Sequence, residues 1–468
     1  MYRITHFNFK TDKDSYFLSN DLGNYIFLTQ QEFHKLLNYS IEENTNVYSE
    51  LLEKGFLYCN EEEYLQTSTQ KYLDAKQCLL KSTQLFILVL TDACNQRCQY
   101  CQAGDSHAHI TDINTCKKAI NIAVQSPTSS VTLEFQGGKP TINQEALHFS
   151  VSYAKSVFHK AGKKVNFAIA TNLTNVDEKL LKWLIAEGVS ISTSLDGPKE
   201  LHDINRPLAG KASSYDAWRY GLQKYRELCN EMGVSPSIGA IETTTRASLV
   251  YAREIVDAYR VNGINNLYIR PLTPLGLAKS KWKKIGYTAD EYINFYNEVI
   301  DYILELWKAG EHIYETTASI YLRRILLNES VSHTEFRSPC GAGIGQLAIN
   351  YDGMVYTCDE GRMLANMGDS MFRVGTVDQT YKELIQSPVV HAVCTESCLE
   401  GLPFCSECPY SPYCGVCPVV NYGMEGDLVS HSENSYRCSI ARGILKHLFE
   451  TIKKNDAEEL EILRQLAL

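Results

Sequence analysis

"LFILVLTDACNQRCQYC", residues 85–101, joins a short apolar run to three closely spaced cysteines. The run is typical of a buried strand, and the cysteines that follow it at the spacing C-x3-C-x2-C are Cys94, Cys98 and Cys101. Three thiolates this close together indicate a metal site, but a closed tetrahedral zinc site needs four ligands. An iron–sulfur cluster with one open iron fits three cysteines. Zinc is the alternative, with His107 or His109 as a fourth ligand at a non-standard spacing.

Five further apolar strands follow the first, with amphipathic helices such as 143–158 and 177–188 between them. The six predicted strands are 85–90, 131–136, 165–171, 189–195, 237–243 and 266–272. This alternation predicts an α/β fold with a parallel sheet, either open and doubly wound or a partial barrel. Both place chemistry at the carboxyl ends of the strands. The stretches "GGKP", "TN" (171–172) and "SLDGP" (194–198) all follow strands, so we expect them to converge on one cavity.

The two ends of the chain differ from this middle region, which we place at 84–310. Residues 1–75 predict a hairpin, then a helix with Thr29 as N-cap and Glu32 in a capping box. We interpret this segment as a winged-helix-like module; the alternative is a decoration that only packs on the next domain. Residues 335–445 form a cysteine-rich domain, and 446–468 predict a C-terminal helix.

Composition narrows the class of protein. The 468 residues carry a net charge of −10, which argues against a nucleic-acid-binding protein. No apolar run approaches the ~20 residues that span a bilayer, and the first residues lack the apolar h-region of a signal peptide, so we expect a cytoplasmic protein without a membrane segment. The 16 cysteines then indicate metal or redox chemistry rather than disulfides. Four scattered ones are expected to be small buried side chains: Cys59, Cys78, Cys116 and Cys229.

The three-cysteine loop resembles that of the radical S-adenosylmethionine (SAM) enzymes, with Tyr100 as the aromatic residue before the last cysteine. "QGGKP" resembles the family's Gly-Gly-Glu-Pro turn, and "SLDGPKELHDINRP" resembles a stretch of its peptide-modifying branch. The resemblance implies a partial (β/α)6 TIM-like barrel. It also implies that the three cysteines ligate a [4Fe–4S] cluster whose fourth iron chelates SAM. Reductive cleavage of SAM would give a 5′-deoxyadenosyl radical that abstracts a substrate hydrogen.

The same resemblance implies which residues hold SAM. Gly137 and Gly138 would let the backbone approach the methionine moiety closely, since neither has a Cβ. The ribose would contact Ser192 or Ser194, for which an ordinary strand-end hydroxyl is the alternative. Adenine would contact Tyr100 and Ile241. Lys139 stands where the family has glutamate, and a lysine cannot accept a hydrogen bond from the SAM ammonium group; it would point to the SAM carboxylate or outward.

The C-terminal cysteines resemble the SPASM domain, which carries two auxiliary [4Fe–4S] clusters, although one spacing is x2 rather than x3. The resemblance implies three clusters in all. Auxiliary cluster I would use Cys340, Cys358 and Cys417, with Cys398, Cys394 or an open iron completing it. Auxiliary cluster II would use Cys405, Cys408, Cys414 and Cys438. A pair of zinc ribbons is the alternative.

Three stretches resemble the maturases of His-Xaa-Ser peptide systems: "YFLSNDLGNYIFLTQQEF" (16–33), "CGAGIGQLAINYDGMVYTCDEGRM" (340–363) and "CSECPYSPYCGVCPVVNYGMEG" (405–426). This resemblance implies a ribosomally made precursor peptide as substrate, whose leader adds a strand to the N-terminal hairpin. It implies a side-chain crosslink as the product. A reducing partner such as flavodoxin or ferredoxin would supply electrons, and a paired second maturase is a further candidate partner.

Four polar residues after the fourth strand are candidates for moving protons or fixing the substrate: Asp196, His202, Asp203 and Arg206. The alternative is that they are hydrogen-bond partners within their loop. Two other functions stay open. One is oxidation of a side chain to formylglycine, as in anaerobic sulfatase maturation. The other is a non-catalytic iron–sulfur scaffold that presents peptides to a partner enzyme.

Overall fold

An N-terminal unit of five short strands and three helices precedes the main sheet in the computed structural model, which describes residues 2–101, 108–210, 212–331, 333–430 and 435–468. The candidate ligand His107 lies outside these ranges. The elements of the unit are β1 (Arg3–Ile4), β2 (Asn8–Asp12), β3 (Ser15–Ser19), β4 (Tyr25–Thr29), α1 (Gln30–Leu37), α2 (Asn46–Glu53), β5 (Leu57–Tyr58) and α3 (Glu61–Ala75).

The predicted hairpin of this unit is β3–β4, and the predicted capping box at Thr29 and Glu32 is present at the start of α1. The sequence analysis missed β2, which pairs antiparallel with β3 and completes a three-stranded sheet. β1 pairs with β5. Leu18, Leu36 and Phe56 are fully buried in a core of the unit's own. The unit therefore combines a small antiparallel sheet with helices, and its last helix ends at Ala75.

The six predicted strands form a parallel sheet in chain order, which confirms the α/β prediction. They are β6 (Leu85–Thr91), β7 (Ser130–Gly137), β8 (Lys164–Ala170), β9 (Ser190–Ser194), β10 (Ile238–Thr243) and β11 (Asn266–Arg270). A doubly wound sheet would reverse its strand order part-way across. The uninterrupted order favours the partial barrel of the two alternatives.

Further strands extend the sheet on both sides, giving ten strands in the order β12-β11-β10-β9-β8-β7-β6-β13-β14-β15. The added strands are β12 (Tyr314–Glu315), β13 (Gln346–Ile349), β14 (Met354–Tyr356) and β15 (Arg373–Thr376). β13 runs parallel to β6, with Gln346 opposite Leu85. The first part of the cysteine-rich region thus adds three strands to the central sheet.

Both faces of β6 are covered, which explains its unbroken apolar sequence. Phe86, Leu88 and Leu90 belong to the main core, whereas Ile87 and Val89 pack on the opposite face with Tyr356 and Ala348 of the added hairpin. A strand buried on both faces needs no polar residue in alternate positions.

Fifteen helices follow the N-terminal unit in the described part of the chain. They are α4 (Ile113–Ala123), α5 (Gln144–Lys160), α6 (Glu178–Ala186), α7 (Lys199–Asn205), α8 (Ser214–Glu231), α9 (Ala252–Val261), α10 (Leu277–Ile285), α11 (Ala289–Lys308), α12 (Thr316–Leu326), α13 (Asp359–Asn366), α14 (Tyr381–Ile385), α15 (Pro388–Thr395), α16 (Pro418–Glu425), α17 (Tyr436–Lys453) and α18 (Ala457–Ala467). Across the ranges described, none of the helices is both long and apolar enough to cross a membrane.

The predicted C-terminal helix 446–468 differs from the structure, which has two helices there. The first, α17, begins ten residues earlier because Ser435 caps it and accepts a hydrogen bond from the backbone N–H of Cys438. The chain then turns at Asn455, which has a φ of 55°, before α18 begins. Cys438 consequently lies in the first turn of a long helix.

Candidate active site and cysteine groups

The loop after β6 is held at its start by Asp92. Its carboxylate accepts a hydrogen bond from the backbone N–H of His109 at 2.7 Å, and its second oxygen lies 2.7 Å from Nδ1 of the same residue. The imidazole ring also stacks on Tyr351, with the ring centroids 4.7 Å apart. His109, the candidate fourth zinc ligand, is therefore engaged by Asp92 and Tyr351.

A cavity of about 570 Å³ opens at the carboxyl ends of the parallel strands. All three cysteines of the loop line it, and so do most of the residues expected to hold SAM: Tyr100, Gly137, Gly138, Ser192, Ser194 and Ile241. The strand-end motifs therefore converge on one space, as the parallel order of the strands requires. A volume in this range is typical of a small-molecule site.

The two glycines after β7 press against the cysteine loop. A Cβ on Gly137 would lie 1.9 Å from the carbonyl oxygen of Thr91, and one on Gly138 would lie 2.4 Å from that of Ala93. The backbone N–H of Gly138 donates to Thr91 at 2.8 Å, and that of Lys139 donates to Ala93 at 2.7 Å. The absence of a Cβ thus allows this turn to fix the start of the loop that carries Cys94.

Lys139 does not line the cavity. Its side chain is buried, and its ammonium group donates to the backbone carbonyls of Thr174 and Asn175, the latter at 3.3 Å. Burial lowers the pKa of Lys139, while the nearby Cys94 thiol acts in the opposite direction. The Lys139 side chain therefore points away from this cavity, towards the carbonyl groups of Thr174 and Asn175.

Asp196 fixes two side chains that face the cavity. Tyr100 donates its hydroxyl proton to one carboxylate oxygen at 2.6 Å, and Nε of Arg206 lies 2.8 Å from the other. The guanidinium carbon of Arg206 also lies 5.3 Å from the centroid of the Tyr100 ring. Asp196 itself is completely buried. Its contacts are those of a residue that positions Tyr100 and Arg206 in the cavity wall.

His202 and Asp203 do not line the cavity. Nδ1 of His202 accepts the backbone N–H of Asp196 at 3.2 Å, and burial lowers the pKa of this histidine to about 4. Partial burial acts to raise the pKa of Asp203, but the N–H of Tyr215 and the hydroxyls of Ser213 and Ser214 outweigh it, so the pKa is lowered. Both residues thus make hydrogen bonds within their own part of the chain. Of the four candidates, only Arg206 lines the cavity.

A charged network in the same cavity was missed by the sequence analysis. Glu335 binds Arg437 at 2.8 Å and Arg270 at 3.4 Å, and Arg270 also lies 3.4 Å from Glu360. Burial acts to raise the pKa of Glu335, but the two guanidinium groups outweigh it and hold this pKa well below its usual range. Arg270 is the last residue of the sixth parallel strand, and this position was the one feature of the sequence that could have indicated its place in the cavity. The others come from the cysteine-rich region, whose placement the sequence did not reveal.

Four C-terminal cysteines line a second cavity of about 360 Å³ together with Cys417: Cys405, Cys408, Cys414 and Cys438. Burial raises the pKa of Cys405 to about 12, and the neighbouring Cys438 and Cys408 thiols add to the effect. Burial likewise raises the pKa of Cys414, with Cys408, Cys438 and Cys405 as its charged neighbours. These are the four residues that the resemblance assigns to auxiliary cluster II.

Three other cysteines line a cavity of about 460 Å³ within the barrel, namely Cys340, Cys358 and Cys417. All three are buried. This cavity shares Arg270, Glu335 and Glu360 with the first one. The charged neighbours of Cys398 are Glu400 and Lys76, and those of Cys394 are Arg337 and Cys398.

The chemistry of these thiols fits iron–sulfur clusters. All are present as thiols, and they fall into groups of three, three and four. Each group lines a cavity, and Cys417 lines both the cavity of its own group and that of the four-cysteine group. Cysteine thiolates are the ligands that such clusters require. Within the described ranges, no three histidine, cysteine, aspartate or glutamate side chains are placed to hold a single metal ion.

Residues 88–275 match the family model of the radical SAM superfamily. The chain contains a radical SAM domain. An uncharacterized protein of Methanocaldococcus jannaschii is 27% identical over 191 residues, 40% of this chain and 62% of that protein. A cysteine-type anaerobic sulfatase-maturating enzyme of Clostridium perfringens is 23% identical over 320 residues, 66% of this chain and 81% of the enzyme.

Solved structures agree with the radical SAM fold. The structure of anSMEcpe with bound AdoMet and Cp18Cys peptide matches with a TM-score of 0.67 at 20% identity, covering 82% of this chain and 99% of that one. Streptococcus suis SuiB bound to its precursor peptide SuiA matches with a TM-score of 0.56 at 14% identity, covering 93% and 99%. At these identities the likeness establishes only that this chain shares its fold with those proteins.

Proposed function

We propose that this chain is a radical SAM maturase that installs a side-chain crosslink in a ribosomally made precursor peptide. The observation that carries the proposal is the cavity lined jointly by the three-cysteine loop, the glycine turn and the charged residues Arg270, Glu335 and Arg437. The first two features suit SAM and its cluster, and the third gives the cavity polar groups with which to orient a peptide side chain.

The residues of the loop would hold one [4Fe–4S] cluster through Cys94, Cys98 and Cys101. Ser192 or Ser194 would bind the SAM ribose, and Ile241 would pack on adenine. When bound, the cluster and SAM supply a 5′-deoxyadenosyl radical for hydrogen abstraction. Arg206, fixed by Asp196, presents a permanent positive charge at the cavity wall.

The N-terminal unit offers a place for the leader peptide. β2 pairs only with β3 in the described part of the chain, so its other edge can accept an added strand. Phe9 on this strand is 48% exposed, and its ring lies 4.9 Å from that of Phe33. Apolar leader side chains would pack on this aromatic surface. SuiB, whose structure matches 93% of this chain, is bound to a precursor peptide, which supports a peptide as the substrate class.

The remaining cysteine groups would hold the two auxiliary clusters. Cys340, Cys358 and Cys417 would ligate the one that borders the SAM cavity, with Cys398, Cys394 or the substrate as its fourth ligand. Cys405, Cys408, Cys414 and Cys438 would ligate the other. Crosslinking removes two hydrogens, so the auxiliary clusters would take up the surplus electron. Flavodoxin or ferredoxin would supply the reducing electron, and a second maturase would act on the same peptide.

The similarity to sulfatase-maturating enzymes favours one other reaction, the oxidation of a single side chain to formylglycine. Both reactions begin with the same hydrogen abstraction, so the SAM cavity does not separate them. They differ in the product. A crosslink joins two side chains of the peptide by a new covalent bond, whereas an oxidised side chain forms no bond to another residue.

The decisive experiment is anaerobic reconstitution of the whole chain. Three clusters predict about twelve irons per chain, and reduction in the presence of SAM should release 5′-deoxyadenosine. Absence of deoxyadenosine from protein with full iron content would contradict both enzymatic proposals and leave the scaffold alternative. With candidate precursor peptides, a crosslink or a serine oxidised to formylglycine should remove two hydrogens, and fragmentation of the product distinguishes these two. A cysteine oxidised to formylglycine also exchanges sulfur for oxygen and should give a larger loss of mass.

A further inference from the structure

The N-terminal sheet lies directly on the loop that carries Cys405 and Cys408. Nδ2 of Asn8 donates to the carbonyl oxygen of Ser406 at 2.9 Å and to that of Cys408 at 3.4 Å. The hydroxyl of Ser19 donates to the carbonyl oxygen of Pro409 at 2.6 Å. Strands β2 and β3 thus satisfy three backbone carbonyl groups of this loop.

Aromatic packing fixes the same contact from the other side. Phe17 is buried between Tyr410 and Phe449, with centroid distances of 5.5 and 4.5 Å. The hydroxyl of Tyr413 donates to the carbonyl oxygen of Gly23 at 3.0 Å. Phe449 lies on α17, the helix whose first turn carries Cys438. The N-terminal sheet therefore contacts both chain segments that contribute the four cysteines.

One charged residue of the N-terminal unit lines the cavity of the four cysteines. Lys10 lies two residues after Asn8 on β2, so both side chains leave the same face of the strand, and its ammonium group lies 2.8 Å from the hydroxyl of Tyr410. Burial raises the pKa of Cys408, whereas the charges of Arg442 and Lys10 act against that rise. Arg442 is supplied by α17 and Lys10 by a unit more than 390 residues away in sequence.

Both positive and negative side chains surround Lys10. Besides Arg442, its charged neighbours are Lys446, Asp12 and Glu450. Asp12 is already paired with Lys453 at 2.6 Å. Because Lys10 alone of the N-terminal residues lines the cavity among those described, its substitution changes one charge at the site and leaves the other charges in place.

We infer that the N-terminal unit is a structural wall of the four-cysteine site and that Lys10 is a positioning charge for the cluster bound there. This inference rests on the proposed function, which assigns a [4Fe–4S] cluster to these cysteines. Reduction adds one electron from a low-potential donor, so the reduced cluster is more negative. A nearby ammonium group stabilises that form and raises the midpoint potential, since net charge and exposure set the potentials of such clusters. Leader docking on β2 would then act on the cluster through the strand that carries Lys10.

The test uses the reconstituted full-length protein and a redox titration with dithionite, followed by electron paramagnetic resonance. Lys10→Met should lower the midpoint potential of one cluster, the one whose signal is missing from a Cys405→Ala protein. Lys10→Arg keeps the charge and should stay near the wild-type potential. Lys35→Met, an exposed substitution in α1 of the same unit, is the matched control and should change none of the three potentials.

The iron content distinguishes a failure of the proposed function from a failure of the inference about Lys10. Wild-type protein that binds iron only at the three-cysteine loop would contradict the proposed function. Full iron content with the same potential in wild type and Lys10→Met would overturn the inference alone. Loss of one cluster from Lys10→Met, with retention in Lys10→Arg and Lys35→Met, would support the wall role by a second route. Equal loss from Lys35→Met would overturn it.

Discussion

The three-cysteine loop and the four-cysteine group use the same ligand chemistry in opposite settings. The loop lies at the open ends of the parallel strands, and its thiols face a cavity of about 570 Å³. The four-cysteine group is built from irregular segments and one helix, and the N-terminal sheet covers it. An incomplete ligand set beside a large cavity leaves room for an exchangeable group, whereas a complete set beneath a cover suits electron storage. The ligand count and the cover thus suit the two groups to different roles.

Removing a ligand from the loop tests the comparison most severely. Cys98→Ala should reduce 5′-deoxyadenosine release to background, a loss greater than the roughly 10–100-fold typical of an outer-shell partner. The iron content should fall by about one third, because the two C-terminal groups keep their clusters. Quantification of deoxyadenosine by chromatography and of iron by colorimetry checks both values. Unchanged SAM cleavage would remove the loop from the active site.

Removing a ligand from the four-cysteine group should separate the two activities. Cys405→Ala is expected to lose about one third of the iron, to keep SAM cleavage without peptide, and to lose peptide modification. The same two assays and mass spectrometry of the peptide measure this. Cys59 lies outside all three groups and is exposed, so the expectation that it is buried was wrong. Cys59→Ala serves as the control and should leave iron and activity unchanged. Full peptide turnover by Cys405→Ala would show that this group takes no part in the reaction.

Substitution of Lys139 distinguishes a structural role from a contact with SAM. Lys139→Met leaves two carbonyl groups without their donor, at a cost of about 1–3 kcal/mol, and should lower the melting temperature by several degrees. SAM affinity, measured by calorimetry on the reconstituted protein, should change less than about threefold, a difference under roughly 0.7 kcal/mol. The exposed Lys182→Met is the control. A large loss of SAM affinity at unchanged melting temperature would mean that Lys139 contacts SAM.

His202 gives the last expected effect, which grows as the pH falls. Its pKa in the folded protein is about 4, below the usual value of 6.5, so the unfolded chain binds the proton first. The contribution of His202 to the free energy of unfolding is therefore fully present above pH 6.5. It decreases as the pH falls towards 4, by up to about 1.4 kcal/mol per pH unit. Urea unfolding of His202→Asn at pH 7 and 5 should show a shallower decrease than wild type. An exposed histidine variant, His34→Asn, should follow the wild-type slope.

Part of this architecture follows from the sequence because the physical signal is local. Each of the six parallel strands is a short apolar run, and the cysteine loop, the glycine turn and Asp196 come directly after such runs. The capping box at Thr29 is likewise a pattern of four residues. These features needed no knowledge of the distant chain, and the structure has all of them.

The remainder depends on contacts between remote segments. β2 was missed because its alternating residues lie half-buried beneath another region, and β13 pairs with β6 across most of the chain. The direction of Lys139 is set by the carbonyls of Thr174 and Asn175, which no spacing in "GGKP" reveals. The network of Arg270, Glu335 and Arg437 joins residues from three separate elements. Such features become visible only once the fold has placed them together.

The parallel pairing of Gln346 with Leu85 has a consequence for how the protein is made. During synthesis the barrel strands leave the ribosome long before β13, so β6 keeps one unpaired edge until the cysteine-rich region arrives. An exposed apolar edge strand is prone to pair with other chains. The last third of the chain therefore protects the edge of the strand that leads into the three-cysteine loop.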